Sequence, residues 1–204
     1  MARSGLTREA KTAAVRAALI EAAAEMFAEQ GFDKTSLDSI AERAGLTKGA
    51  VYSNFAHKED LFFEACRSVA ASGDQTALGG DGSLASRLAR WSLSVAHLSS
   101  EPGSDRRAAL EAEALQLALR SERTRAWVAA RQAEARARLA AVLADYATPG
   151  QQRTAVPPEE LATILMALLR GLLMERTIAP DAVPDRCFAD AVRMLLANVS
   201  NSDL

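Results

Sequence analysis

Apolar residues recur along this chain at helical spacing almost from its start. Over residues 11–30, Val15, Leu19, Ala23, Met26 and Phe27 fall on one stripe, and Gly31 supplies a left-handed stop. Thr35-Ser36-Leu37-Asp38 has the shape of a capping box and predicts a short helix that ends at Gly45. Thr47 is placed to cap a further short helix running through Val51 to about Asn54, and another helix is predicted over 58–71. The Gly-rich stretch 72–83 then interrupts the pattern. It has no Gly-Lys-Ser/Thr and reads as a loop, not a phosphate cradle. Longer helices are predicted at 84–98, 105–120 and 122–146, then a polar linker at 148–158, then helices at 159–177 and 184–199. The expectation is an all-α protein of about nine helices, with a short-helix head preceding a long-helix body.

Composition agrees with that class. Hydrophobic residues make up 49% and aromatics only 5%, with Ala and Leu prominent, which favours helices over strands. The net charge of −2 gives no global sign of a nucleic-acid partner, but its distribution does. Arg3, Arg8, Lys11 and Arg16 stand against Glu9 alone, and Lys34, Arg43, Lys48 and Lys58 against Asp38 and Glu42. A local basic surface on an acidic chain is enough to meet a phosphate backbone. Cys66 and Cys187 sit singly in apolar helical patterns and read as packed thiols. With only His57 and His97 besides, no metal-ligand spacing occurs, and no metal or cofactor is expected. The most apolar run, 161–169, is too short for a bilayer span, and no signal peptide is evident, so a soluble cytoplasmic protein without a membrane partner is expected.

Residues 37–56 read as a helix-turn-helix. Two helices crossing through a tight turn need a small residue where their backbones approach, and Ala41 is there. Gly45, four positions on, tolerates the positive φ of the turn. Ile40, Ala44, Leu46, Val51 and Phe55 fit a small core, while Lys48, Ser53 and Asn54 are left outward. The string Ala23, Phe27, Gly31-Phe32, Thr35-Ser36, Ile40-Ala41, Ala44-Gly45-Leu46-Thr47, Gly49, Val51-Tyr52, Phe55, Lys58-Glu59 and Leu61 resembles the DNA-binding region of the TetR/AcrR family of transcriptional regulators. The resemblance spans residues 15–61. His57 departs from it, because the family usually has a small polar helix cap at that place.

This resemblance implies a homodimeric, ligand-responsive regulator, most simply a repressor, that binds palindromic double-stranded operator DNA and is released by a small-molecule inducer. Residues 1–57 would be the DNA-binding domain and 58–204 the ligand-binding and dimerisation domain. Thr35, Ser36, Thr47, Lys48, Gly49, Ala50, Tyr52, Ser53, Asn54 and Lys58 would lie at the DNA. Tyr52, Lys58 and Thr35 or Ser36 would position phosphates; Lys48, Ser53 and Asn54 would read bases. For Tyr52 a half-buried packing role is the alternative, and for Lys58 simple solvation. Arg3, Arg8 and Lys11 are candidates for a basic arm in the minor groove.

In the body, helix 159–177 is nearly apolar all round apart from Thr163, Arg170 and Gly171. The resemblance implies a four-helix dimer bundle from the last two helices, with Leu165, Leu168, Leu172, Phe188, Val192 and Leu195 at the interface. Gly171 would allow close helix approach there, or else relieve crowding within one subunit. An inducer pocket is implied with Phe62, Phe63, Trp91, Leu117, Trp127 and Met166 as candidate walls, each of which plain core packing explains more simply. Glu111, set among Ala and Leu, is either a pocket or core carboxylate, with Arg170 as partner or second pocket charge, or a sign that its helix is less buried than it looks. Helix 58–71, with Phe62 and Phe63 facing the body, would be the lever between ligand and DNA. Two other readings remain: a non-inducible or activating regulator whose body only dimerises, and an all-helical enzyme, for which no catalytic constellation is evident.

Overall fold

The computed structural model describes residues 7–70, 78, 81–145 and 156–199. Arg3, most of the Gly-rich stretch and residues 148–155 of the linker lie outside the described residues. Among those described, the elements are α1 (Arg8–Lys34), α2 (Leu37–Arg43), α3 (Lys48–Asn54), α4 (Lys58–Val69), α5 (Leu84–Leu98), α6 (Ser104–Ala118), α7 (Glu122–Asp145), α8 (Pro158–Ile178), a 3-10 turn at Pro180–Ala182 and α9 (Arg186–Val199), with no strand. The all-α expectation of about nine helices holds.

Two helix starts differ from expectation. Thr7 caps α1, its hydroxyl accepting from the Ala10 N–H at 3.2 Å. Arg8 and Lys11 are therefore helical residues, not parts of an extended arm. The capping box of α2 sits one residue later than the pattern suggested: Ser36 Oγ accepts from Ser39 N–H at 3.0 Å, and Ser39 Oγ accepts from Ser36 N–H at 3.1 Å. Thr35 is only 1% exposed and its hydroxyl donates back to Gly31 O at 2.8 Å, while Ser36 takes the place of the cap of α2. The shift leaves Asp38 free of capping duty.

The described residues divide into two compact units, one drawn from 1–70 and 106–126, the other from 71–105 and 127–204. The first takes in α4 and residues 106–126, beyond the boundary expected after residue 57. Its buried residues include Leu19, Ala23 and Phe27 of α1, Ile40 of α2, Val51 of α3, Leu61 and Phe62 of α4, and Leu110 and Leu117 of α6. At its centre the Phe62 ring meets Phe27 edge-on at 5.1 Å and Phe32 at 5.3 Å between centroids. Such pairs add to the large apolar burial of the rings themselves. Ion pairs border this core: Arg106 with Glu21 at 2.6 Å, Arg43 with Glu29 at 3.1 Å, Arg120 with Asp33 at 2.9 Å, and Arg123 with Glu59 and Asp60. They are solvated and add little stability individually.

The second unit has its own core of Leu88, Trp91 and Val95 from α5, Leu139 and Leu143 from α7, Leu161, Leu165 and Leu169 from α8, and Phe188, Val192 and Leu196 from α9. Arg176 pairs with Asp185 at 2.5 Å beside it. Three residues assigned to the dimer interface, Leu165, Phe188 and Val192, are fully buried in this core and have no surface to offer a second chain. The periodicity found the apolar face of each helix correctly but could not say which apolar face looks inward.

Of the candidate pocket residues, some lie in plain core and two lie at the surface. Phe62 and Phe63 are buried in the first unit, with Phe62 in the aromatic cluster of the head rather than in a pocket wall, and Leu117 is core there too. Glu111 and Arg170 are exposed, so neither carries the desolvation cost that made pairing necessary. Trp91 is buried with Met166 packed against the second core, while Trp127 is half-buried with the Arg131 guanidinium 5.6 Å from its ring.

Replacing Phe62 with Ala should therefore destabilise the first unit by ~3–5 kcal/mol, the usual range for a buried aromatic. Chemical denaturation of wild type and variant checks this. A stability change below about 1 kcal/mol would place Phe62 outside the core.

Candidate nucleic-acid interface

The short helices α2 and α3 are held at their turn by backbone geometry. Gly45 has φ +66°, and a Cβ there would meet nothing within 4 Å, so glycine is required by conformation and not by space. The Leu46 N–H reaches Ala41 O at 2.9 Å, and Ala41 is buried where the backbones approach. Thr47 caps α3 as expected, accepting from Ala50 N–H at 3.3 Å. Val51 and Phe55 then anchor α3 in the core.

With that inner face fixed, the opposite face is left to solvent. Thr47, Lys48, Gly49, Tyr52 and Ser53 are exposed, Ser36 stands exposed at the start of α2, and Ala50 and Asn54 are half-buried. Tyr52 is 58% exposed, which removes the packing alternative for it. Asn54 is partly committed, its Nδ2 donating to Ala50 O at 2.8 Å, as is Ser53 Oγ at 3.0 Å.

Two predicted interface residues are engaged inside the protein. Thr35 is buried at the corner between α1 and α2. The Lys58 ammonium donates to Phe32 O at 2.8 Å and Thr35 O at 3.0 Å, and lies 4.2 Å from the centre of the Phe32 ring. Burial holds its pKa below the ordinary 10.5, with Asp33 opposing that shift. Lys58 is a clamp on the end of α1, not a free phosphate contact.

The same corner uses two residues that sequence reasoning did not assign to it. Glu113 of α6 accepts the Phe32 N–H at 2.8 Å, directly beside Gly31 with its φ of +79°. Arg16 of α1 donates to Asn54 O at 3.3 Å, covers the Phe55 ring at 4.5 Å and is pinned by Glu64 at 2.8 Å. Its cation thus sits at the C-terminus of α3, where the helix dipole favours it. Both are long-range contacts, with no local pattern that could have marked them. At His57 the capping runs in the reverse sense, because Asp60 accepts the His57 N–H at 3.0 Å. That accounts for a histidine where a small polar cap is usual.

Lys48, the single cation of α3, forms an exposed ion pair with Asp38 of α2 at 2.5 Å. The hydrogen bond that Lys48 donates to Asp38, with the charge of the carboxylate, holds the Lys48 pKa above 10.5. The other Asp38 oxygen lies 3.5 Å from the Tyr52 hydroxyl. Ser36, Asp38, Glu42, Leu46 and Lys48 line an open cleft between the two helices. A second open cleft is lined by Arg16, Phe55, Asp60, Phe63 and Arg67 among others; of the candidate inducer-pocket residues, Phe63 alone lines either cleft.

Fold and exposed face together define a helix-turn-helix protein carrying a second, helical unit. Comparison with known proteins makes this specific. A family model described as bacterial regulatory proteins, tetR family, matches residues 19–65, and one described as BetI-type transcriptional repressor, C-terminal, matches residues 89–200. The chain belongs to the tetR family of bacterial transcriptional regulators. Curated relatives include the HTH-type transcriptional regulator AcrR of Shigella flexneri, 46% identical over 46 residues, covering 22% of this chain and 21% of that protein. The HTH-type transcriptional repressor KstR2 of Mycobacterium tuberculosis is 44% identical over 52 residues, 26% of each. The alignments thus span about a fifth to a quarter of those relatives' length. Solved structures match along nearly the whole fold. NalD of Pseudomonas aeruginosa, described as the secondary repressor of the MexAB-OprM multidrug efflux pump, has a TM-score of 0.71 at 25% identity, covering 95% of this chain and 100% of that one. A Mesorhizobium loti protein described as a TetR-family transcriptional regulator has a TM-score of 0.74 at 23% identity, covering 95% and 98%. These families and relatives are regulators of transcription, not enzymes.

The Lys58 clamp makes a prediction distinct from that of a phosphate contact. Lys58→Met should lower stability by ~1–3 kcal/mol, since two backbone carbonyls lose a charged donor. Because the folded pKa lies below 10.5, the native state binds fewer protons at Lys58 than the unfolded chain between that lowered value and 10.5. The residue's contribution to stability therefore rises with pH across that window, and the variant should lack the rise. Denaturation of both proteins between pH 7 and 11 measures it. Equal pH slopes would show that Lys58 is solvated.

Proposed function

We propose that this protein is a repressor that binds palindromic operator DNA as a homodimer and releases it when a small molecule enters its second unit. The observation that carries the reading is the outward face of α3. Two core anchors and a capped N-terminus hold it rigidly, yet Lys48, Tyr52 and Ser53 touch solvent. A helix so mounted fits a major groove, with Gly49 and Ala50 letting its N-terminal end come close and its free amides meeting phosphate. Residues 1–57 would carry the DNA contacts through Ser36, Thr47, Lys48, Gly49, Ala50, Tyr52, Ser53 and Asn54; residues 58–204 would carry dimerisation and ligand binding.

The dimer reading rests on apolar surface that one chain leaves uncovered. Ile164, Leu168 and Ile178 of α8 lie on one stripe, Met174 is also exposed, and Met194 of α9 is 67% exposed. Gly171 falls on the α8 stripe, and a Cβ there would meet nothing within 4 Å. Crowding within one chain therefore does not call for this glycine, whereas close approach of a second helix does. The proposed interface is thus Ile164, Leu168, Gly171 and Met194, with half-buried Leu172 and Leu195 at its edge. Exposed apolar surface of this extent is typical of a twofold contact.

For the ligand, Trp91, Met166 and Trp127 remain the candidates in the second unit. A ligand can release DNA only by its differential affinity for the two arrangements of the dimer. The chain's two tryptophans, Trp91 and Trp127, both belong to the second unit, so intrinsic fluorescence reports on a ligand bound there.

In vitro selection of DNA should yield an imperfect palindrome, bound with a log–log salt slope steeper than about −4 because several phosphates are neutralised per half-site. Footprinting and a salt titration test this, and an asymmetric site with a slope near zero would contradict it. Leu168→Arg and Met194→Arg should sediment as folded monomers and bind the operator weakly. Val192→Arg should instead unfold, since it buries an unpaired charge. Dimers of normal affinity from both surface variants would put the interface elsewhere.

A further inference from the structure

The exposed face of α3 carries one cation, and that cation is already paired. Asp38 reaches it from the neighbouring helix, and its second oxygen faces the Tyr52 hydroxyl. The carboxylate is no part of the cap of α2, which Ser36 and Ser39 complete between themselves. It is half exposed, stands at the mouth of the cleft between α2 and α3, and has Glu42 on the same rim. An acid so placed is unfavourable for a surface that meets a polyanion. Phosphates repel it, and so do the guanine and thymine acceptors of the major groove. Only the amino groups of cytosine and adenine can donate to it.

We propose, resting on the operator-binding reading above, that Asp38 is a specificity-determining residue which holds Lys48 back from phosphates and releases it only to a cognate base edge. On random DNA, breaking the pair gives Lys48 one phosphate and leaves Asp38 unpaired beside others, so little is gained. On the operator, Lys48 exchanges the carboxylate for directed guanine acceptors. The ion pair is solvated and therefore weak enough to exchange. The protein thereby gives up affinity everywhere and loses least at its own site, which is how repulsive elements create discrimination.

The test uses the full-length protein, its selected operator and a random duplex of equal length, with affinities measured by fluorescence anisotropy at several salt concentrations. Asp38→Asn preserves shape and can still accept a hydrogen bond, and its thermal midpoint controls for folding. It should tighten random-duplex binding about tenfold and operator binding threefold or less, so discrimination falls at least threefold. Its salt slope on random DNA should steepen by about 0.9 for each Lys48 freed to a phosphate. In a Lys48→Met background, Asp38→Asn should change both duplexes by the same factor. An unaltered affinity ratio in Asp38→Asn, or the same loss of discrimination without Lys48, would overturn the proposal while leaving operator binding intact. Failure of the wild type to bind any duplex would overturn the operator-binding reading itself, and the Asp38 role with it.

Discussion

The corner at residues 31–35 is the constraint on which the head depends. A helix end leaves backbone groups without intrahelical partners, and this one ends against a core where water cannot serve all of them. The chain answers with side chains from far along the sequence. Glu113 takes the Phe32 N–H, Lys58 takes the Phe32 and Thr35 carbonyls, and Thr35 turns its own hydroxyl back to Gly31 O. Gly31 supplies the positive φ that lets α1 turn there at all. Because these partners come from α4 and α6, the direction in which α2 leaves α1 is set by three elements at once. The orientation of α3, packed on α2 through Ala41 and Gly45, follows from it.

Lys48 and Lys58 show how position divides one residue type between two tasks. Lys58 lies over an aromatic ring with its donors spent on carbonyls, and burial lowers its pKa. Lys48 is exposed, faces a carboxylate, and has its pKa raised. The first is a structural clamp, while the second keeps donors that can be exchanged for another acceptor. That contrast is why the proposed interface is smaller than the run of basic residues in the sequence suggested. It also explains why an acidic residue has a place in it.

In the second unit the deciding quantity is which face of an apolar helix its own chain covers. Helix α8 is apolar on several sides, yet Leu161, Leu165 and Leu169 are buried while Ile164, Leu168 and Ile178 are not. The uncovered stripe, with an unneeded glycine in its middle, supports the proposed twofold contact, keeping Leu168 and replacing the buried Leu165, Phe188 and Val192 with Ile164 and Met194. The same sorting moves Phe62 and Leu117 from a ligand wall into the core of the first unit.

Helix number, order and approximate limits were legible in the sequence because they follow from local physics: apolar spacing, caps such as Thr47, and glycines such as Gly45 where φ must be positive. The helix-turn-helix was legible for the same reason, its small and apolar positions lying within twenty residues of one another. What only the tertiary structure decided concerns pairs distant in sequence. Thr35 and Lys58 looked available for DNA until their partners at Gly31 and Phe32 were seen, and Glu113 and Arg16 gave no sign of the backbone groups they serve. The apolar neighbours of Glu111 fitted either a buried carboxylate or a poorly covered helix, and what packs opposite leaves it exposed. Periodicity gives a helix its faces, but only the other elements of the fold determine which face meets protein and which meets water.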